Sequence, residues 1–274
     1  MSVSEMPSGQ VLLRVDEVSL RLGGTLILDR VTFEVRDRIR QDQVTGQVVS
    51  LLGPSGVGKT RLLRILAGLD TPDAGRLTGP DNRPLPPGSV GFVFQHYPLL
   101  RHRTVLENLI IAGTCNGMTH DEARQRARQL LQRFQLDHRS SFYPAQLSGG
   151  QRQRVAIAQQ LVRHKGLLLM DEPFSGLDPA ALEDVMRLLI EVAHMHELNT
   201  IMVVTHDIRA ALLVSDTVFM LGRDRHPDGT PIPGARIQGV YDLVARGLAW
   251  REDLEDQPAF LQLEREIKGR FRSL

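Results

Sequence analysis

Between Gln47 and Leu69 the chain changes character twice without a break. Gln47–Leu52 is a short apolar run of strand character. Gly53-Pro54-Ser55-Gly56-Val57-Gly58-Lys59-Thr60 is a glycine-rich turn. Arg61–Leu69 then carries apolar residues at helical spacing, with Gly68 and Pro72 marking the end. Strand, tight turn and helix in that order are the setting of a phosphate loop. Gly53, Gly56 and Gly58 let the backbone bend close to a phosphate with no side chain in the way. The turn aims N–H groups inward, and the helix start adds partial positive charge. Lys59 can reach β- and γ-phosphates, and Thr60 offers a hydroxyl to Mg²⁺.

Further strand signals lie at Val11–Leu20 and Leu26–Val35, joined by a Gly23-Gly24 hairpin turn, and at Val90–Phe94, Leu167–Met170, Thr200–Val204 and Thr217–Leu221. The later ones alternate with helical patterns near Pro179–Glu197 and Ile208–Leu213, which implies a largely parallel sheet with helices on both faces. Pro80–Gly88 reads as a surface loop. From about Thr104 to Gln135 the pattern is helical, and Gly149–Arg163 adds another helix, so an all-helical insert is expected over about 98–163. In the tail, Arg223–Ala235 reads as a Pro/Gly/Asp loop, with helices expected at Val240–Gly247 and Leu254–Phe271. The amphipathic tail either packs on the core or serves as a regulatory or docking arm. The expected division is 11–222 as the main domain and 223–274 as a C-terminal loop and helical extension.

With 274 residues there is room for one large domain or one domain and a satellite. A net charge of +1 gives no electrostatic case for nucleic acid or an acidic membrane surface. Cys115 is the single cysteine, is expected as a buried core thiol, and fits a reducing compartment. Apolar runs such as Ile201–Val204 fall far short of the roughly 20 residues that span a bilayer, so a soluble chain is expected, and any membrane part would come from another subunit.

Two more motifs lie within and just after the helical insert. Leu147-Ser148-Gly149-Gly150-Gln151 precedes a helix, and Leu167-Leu168-Leu169-Met170-Asp171-Glu172 is an apolar run ending in an acidic pair. Asp171 is expected at the carboxyl edge of a buried strand, where ligands of open α/β sheets sit. The phosphate loop, LSGGQ and the apolar-Asp-Glu strand, in that order, resemble the ATP-binding cassette (ABC) ATPases over roughly Val11–Gly222. The resemblance implies an α/β P-loop NTPase core of ABC type, a mostly parallel sheet with an antiparallel β subdomain and the all-helical insert. It implies ATP and Mg²⁺ as ligands, with Gly53, Pro54, Ser55, Gly56, Gly58, Lys59, Thr60 and Arg61 on the nucleotide. Thr60, Gln95 and Asp171 would serve the metal. Glu172 would orient or deprotonate the attacking water, Gln95 would touch that water, and His206 would contact the γ-phosphate and brace Glu172.

One γ-phosphate cannot sit at both helix starts of one chain if the insert separates them. The family's solution is a head-to-tail dimer, with Ser148, Gly149, Gly150, Gln151 and Asp178 of one chain completing the other's site. The expected partners are therefore a second copy or a homologous cassette, an integral-membrane permease and a possible solute-binding protein, with no nucleic acid. The implied location is the cytoplasmic face of the membrane. Tyr97, Leu99 and Leu100 are candidate permease contacts. The run after Gln95 looks most like importers of nitrate, sulfonate or taurine; export of lipoproteins or drugs, or a soluble non-transport role, are the alternatives. The chain departs from the family pattern at Leu22, where an aromatic usually stacks on adenine, and at Arg61, where a second Thr is common.

Overall fold

The computed structural model describes residues 9–274 apart from 39–45, 87, 163–165, 196–199, 250, 252 and 273. The expected boundaries at Arg163 and Glu197 fall outside the described residues. Strands β1 (Val11–Leu22) and β2 (Thr25–Arg36) form the expected hairpin, and Gly23 and Gly24 take the positive φ that the turn needs. Strand β3 (Gln47–Leu52) runs into helix α1 (Lys59–Leu66). A short edge strand β4 (Ala74–Thr78) pairs with β1. Next come β5 (Val90–Val93) and helices α2 (Val105–Thr114), α3 (His120–Arg133) and α4 (Gly149–Leu161). Then follow β6 (Leu167–Asp171), α5 (Pro179–Ala193), β7 (Thr200–Thr205), α6 (Ile208–Val214) and β8 (Thr217–Arg225). The chain continues through β9 (Pro231–Asp242) to α7 (Pro258–Phe271).

The strands make one nine-stranded sheet in the order β4-β1-β2-β9-β8-β3-β7-β6-β5. From β8 to β5 every pair is parallel. The β4-β1-β2 end is antiparallel, and β9 joins the two parts. The central strands are apolar throughout because both of their faces are covered. In β7, Ile201 and Val203 face the cluster built with α2–α5, while Met202 and Val204 face the cluster of α1, β1 and β2. The same alternation puts Val48 of β3 on the first side and Val49 and Leu51 on the second.

The helical insert is written in local chemistry. Thr104, Thr119 and Ser148 each start a helix with a reciprocal capping box, closed by Glu107, Glu122 and Gln151. Buried Asn108 fastens the loop before α2, accepting from Leu100 N at 2.8 Å and donating to the carbonyls of Leu100, Arg103 and Thr104.

Three expectations change. Val240 lies in strand β9, opposite Phe219, rather than at the start of a helix. The strand was hidden because Pro231, Pro233 and Gly234 read as breakers, yet both prolines occupy exposed positions at the strand's beginning. The expected 223–235 loop shrinks to a turn around Gly229, and the division at 222 cuts through β8. Cys115 is exposed at the end of α2 rather than buried. Strand β4 gave no signal because Ala74, Gly75 and Arg76 are exposed edge residues without an apolar face.

The tail packs on the core. Phe260, Leu263 and Ile267 of α7 join Leu52, Val218 and Met220 in one buried cluster. Arg270 donates to the Tyr241 hydroxyl at 3.1 Å and to the Gln238 carbonyl at 2.9 Å. Phe260→Ala should therefore cost about 3–5 kcal/mol in denaturant unfolding of the full chain. A loss below about 1 kcal/mol would mean that α7 is not part of the cooperative core.

Candidate active site

The carboxyl ends of β3, β6 and β7 meet at one edge of the sheet, and the turn after each carries a polar group into the same cleft, of about 540 Å³. Ser55, Gly56, Gly58, Lys59, Thr60 and Arg61 form one wall, and Gln95, Glu172 and His206 stand against them. Glycine is required where the wall turns. Gly58 has φ +113° and a Cβ there would press on Ile27 and Leu28, while a Cβ on Gly53 would come within 2.5 Å of the Leu221 carbonyl oxygen. Gly53 is bonded into the sheet, its N–H donating to Thr205 O at 3.3 Å.

Lys59 is 5 % exposed, and its ammonium donates to the carbonyls of Gly53 and Pro54 at 2.8 and 3.0 Å. It also lies 3.4 Å from the Glu172 carboxylate. Burial lowers its pKa from the usual lysine value, and the neighbouring Glu172 and then Asp171 charges oppose that shift. Asp171 ends β6 and is 8 % exposed; its carboxylate accepts from the Thr60 hydroxyl at 3.0 Å. Burial pushes its pKa up, the Thr60 bond works against this, and the Glu172 charge adds to the rise. Two hard oxygen donors side by side, with the Gln95 amide lining the same cleft, suit Mg²⁺, which takes few protein ligands and completes its shell with phosphates and water.

Glu172 has left-handed backbone, φ +48°, which costs a non-glycine residue roughly 1 kcal/mol. Its N–H donates to Val204 O at 2.8 Å, so the chain leaves β6 while still tied to β7. The sharp turn keeps its carboxylate in the cleft, where His206 Nδ1 lies 3.0 Å from Oε2. Glu172 thus faces a cation on one side and an imidazole on the other.

The LSGGQ residues lie elsewhere. Ser148, Gly150 and Gln151 line a second cleft with Ala181, Asp184 and Leu188 of α5, and it shares no residue with the first. Ser148 caps α4, accepting from Gln151 N at 3.3 Å, and Asp178 caps α5, accepting from Ala181 N at 3.0 Å. These groups therefore serve helix starts within their own chain and do not reach its phosphate loop. A Cβ on Gly150 would touch nothing within 4 Å, and one on Gly149 only the end of Arg152.

Further residues border the first cleft. Leu22 and Ile27 come from β1 and β2, and half-exposed Leu22 stands where the aromatic was missed. Ser175 follows the acidic pair. Arg223, on β8, donates to Gly56 O at 3.4 Å. The family pattern points to the Leu22 position and to the run from Ser175, but no local pattern marks Ile27 or Arg223, which arrive through the sheet topology.

The sequence model of the ABC transporter family matches residues 37–175. A sulfate/thiosulfate import ATP-binding protein of Bradyrhizobium diazoefficiens is 44 % identical over 71 % of this chain and 58 % of its own length. The protein of the same description from Yersinia pseudotuberculosis is 38 % identical over 94 % of this chain and 68 % of its own. The chain belongs to the ABC transporter family. The residues of the first cleft fit what an ABC ATPase domain needs to take ATP with Mg²⁺. Among solved structures, a Clostridium perfringens component of the ABC transporter complex cbiONQ superposes with a TM-score of 0.73 at 26 % identity, covering 94 % of this chain and 99 % of that one. A dimeric ATP-binding cassette in a post-hydrolysis state, bound to ADP and phosphate, gives 0.66 at 28 % identity, covering 85 % and 99 %. The P-loop NTPase fold of ABC type is therefore as expected. The curated relatives are described as sulfate/thiosulfate importers, not as the nitrate, sulfonate or taurine type. The chain spans 58 to 63 % of the length of three of these curated relatives. Among the described residues no helix is long and apolar enough to cross a membrane.

Asp171 gives a stability prediction with a definite sign. Its pKa is raised on folding, so the folded state holds the proton more tightly than the unfolded chain, and stability falls as pH rises through the window above 3.8. Asp171→Asn keeps an acceptor for Thr60 and removes the buried charge. Without nucleotide the variant should melt at a higher temperature than the wild type at neutral pH. An equal or lower melting temperature would mean that the carboxylate is not a destabilising charge.

Proposed function

We propose that this chain is the ATP-hydrolysing subunit of an ABC importer and works as a head-to-tail dimer. The observation that carries the reading is the separation of the two clefts. The phosphate loop and LSGGQ do not meet within one chain, and Gly149 and Gly150 leave open space that nothing in the chain needs. A second copy that brings its nucleotide to that helix start would use both features. Gly53, Pro54, Ser55, Gly56, Gly58, Lys59, Thr60 and Arg61 hold the nucleotide from one chain, and Ser148, Gly149, Gly150, Gln151 and Asp178 contact it from the other. Thr60, Gln95 and Asp171 hold Mg²⁺, which when bound neutralises charge on the phosphates.

Glu172 is the group that orients the attacking water and takes its proton; Gln95 touches the same water. His206, 3.0 Å away, fixes the carboxylate and reaches the γ-phosphate. Dimer closure on ATP draws together two permease halves at the cytoplasmic face of a membrane, and hydrolysis reopens them. The names of the relatives support import of sulfate or thiosulfate. In this reading a solute-binding protein delivers the anion. Recovery of the full chain from its own membranes, with partners identified by mass spectrometry, tests this part. A permease with an anion-binding partner supports it, and a permease without a capture protein favours export.

Glu172→Gln should bind ATP, lose turnover by at least about 10²-fold, and accumulate as a dimer in size-exclusion chromatography with ATP. Wild-type turnover in that variant would remove the role given to Glu172. Ser148→Arg should still bind nucleotide as a monomer but give no ATP-dependent dimer in sedimentation velocity. Its dimerisation at wild-type ATP concentrations would count against the head-to-tail arrangement.

A further inference from the structure

We propose that the Tyr97 hydroxyl is a positioning group for Glu172, acting through the carbonyl of Pro173. This inference rests on the hydrolytic role given to Glu172 above. Tyr97 donates to Pro173 O at 3.3 Å, and the Gln153 side-chain amide donates to the same oxygen at 3.3 Å. One carbonyl next to the acidic pair is thus held from two directions. Tyr97 belongs to the loop after Gln95, and Gln153 belongs to α4, the helix that starts at Ser148.

The two donors are unlike ordinary packing. Gln153 is 1 % exposed, and its own carbonyl oxygen is buried with no hydrogen-bond partner. A buried amide that leaves its acceptor unsatisfied is costly, so its one bond must serve a purpose that an apolar side chain would not. Tyr97 is strained as well. Its φ is +46°, and that of Glu172 is +48°, so left-handed non-glycine residues stand on both sides of the shared oxygen. Such backbone persists only where surrounding contacts hold it.

The geometry ties these features to the cleft. Tyr97 N donates to Phe94 O at 3.0 Å, closing a turn that leaves Gln95 in the cleft on one side and sends the phenol to Pro173 on the other. The ring of Pro173 fixes its φ, so holding its carbonyl oxygen sets the direction in which the chain leaves Glu172. That exit direction keeps the Glu172 carboxylate between Lys59 and His206. The angle of Glu172 therefore depends at once on the loop after Gln95 and on the helix after Ser148. Burial keeps the phenol a donor at any working pH, its pKa pushed up to about 12.

The test uses the full chain and its ATP turnover. Tyr97→Phe keeps the ring and removes only the donor. It should lower kcat about 3- to 10-fold, with KM for ATP and the melting temperature unchanged. Gln153→Met should act in the same direction without loss of thermal stability, because it also removes the unsatisfied acceptor. In a Glu172→Gln background Tyr97→Phe should change nothing, since no carboxylate remains to be positioned. Wild-type kcat in Tyr97→Phe beside an inactive Glu172→Gln would overturn the positioning role and leave the role of Glu172 standing. Active Glu172→Gln would remove that underlying role instead. A fall in kcat matched by a lower melting temperature or a higher KM would make Tyr97 a packing residue and overturn the proposal.

Discussion

A single buried cation organises the cleft. Lys59 starts α1 inside the sheet edge, where isolated charge is expensive, and it is tolerated because two carbonyls and a carboxylate surround it. Those partners are the walls of the site. The carbonyls belong to the turn that curls round the phosphate position, and the carboxylate belongs to Glu172. Asp171, next to Glu172, is buried too and is held by Thr60, the residue after Lys59. The ammonium is thus tied at once to the glycine-rich turn and to the acidic pair.

The sheet makes this arrangement possible. β3, β6 and β7 are parallel and in register, so their carboxyl ends fall on one line, and the turns that follow them converge. The end of β3 lies more than a hundred positions before those of β6 and β7, across the whole helical insert. The insert helices are set by local chemistry, with a capping box at each helix start and buried Asn108 fastening the entry loop. The loop after Gln95 and helix α4 both donate to the Pro173 carbonyl in the acidic turn.

Much of the fold is legible in the sequence because its signals are local. The strand–loop–helix of Gln47–Leu66, the apolar runs of β5–β8 and the Gly23-Gly24 hairpin all depend on neighbours in the chain. β9 was not legible, since its prolines and Gly234 read as breakers while its pairing with β8 and β2 is a long-range fact. β4 was not legible either, because an edge strand exposed to water has no apolar alternation to display. Cys115 was misread because cysteine is usually buried, and only the end of α2 places it at the surface. In the site, Lys59, Thr60, Glu172, Gln95 and His206 line one cleft and Asp171 is bonded to Thr60, while Ile27 and Arg223 carried no mark.

By itself the sequence determined the residue types that phosphate and a hard cation require, most strands and helices of the core, and the helical character of the insert. These follow from short-range chemistry: positive φ at glycine, caps at Ser and Thr, and period in the apolar residues. Tertiary structure alone decided that β9 welds the antiparallel end to the parallel sheet, that the tail completes the core, and that Tyr97 and Gln153 share one oxygen. It also decided that Ser148 and Lys59 open into different clefts. The reason is the same in each case. A contact between residues far apart in the chain depends on strand order and register, which many sequences with the same local signals could satisfy differently.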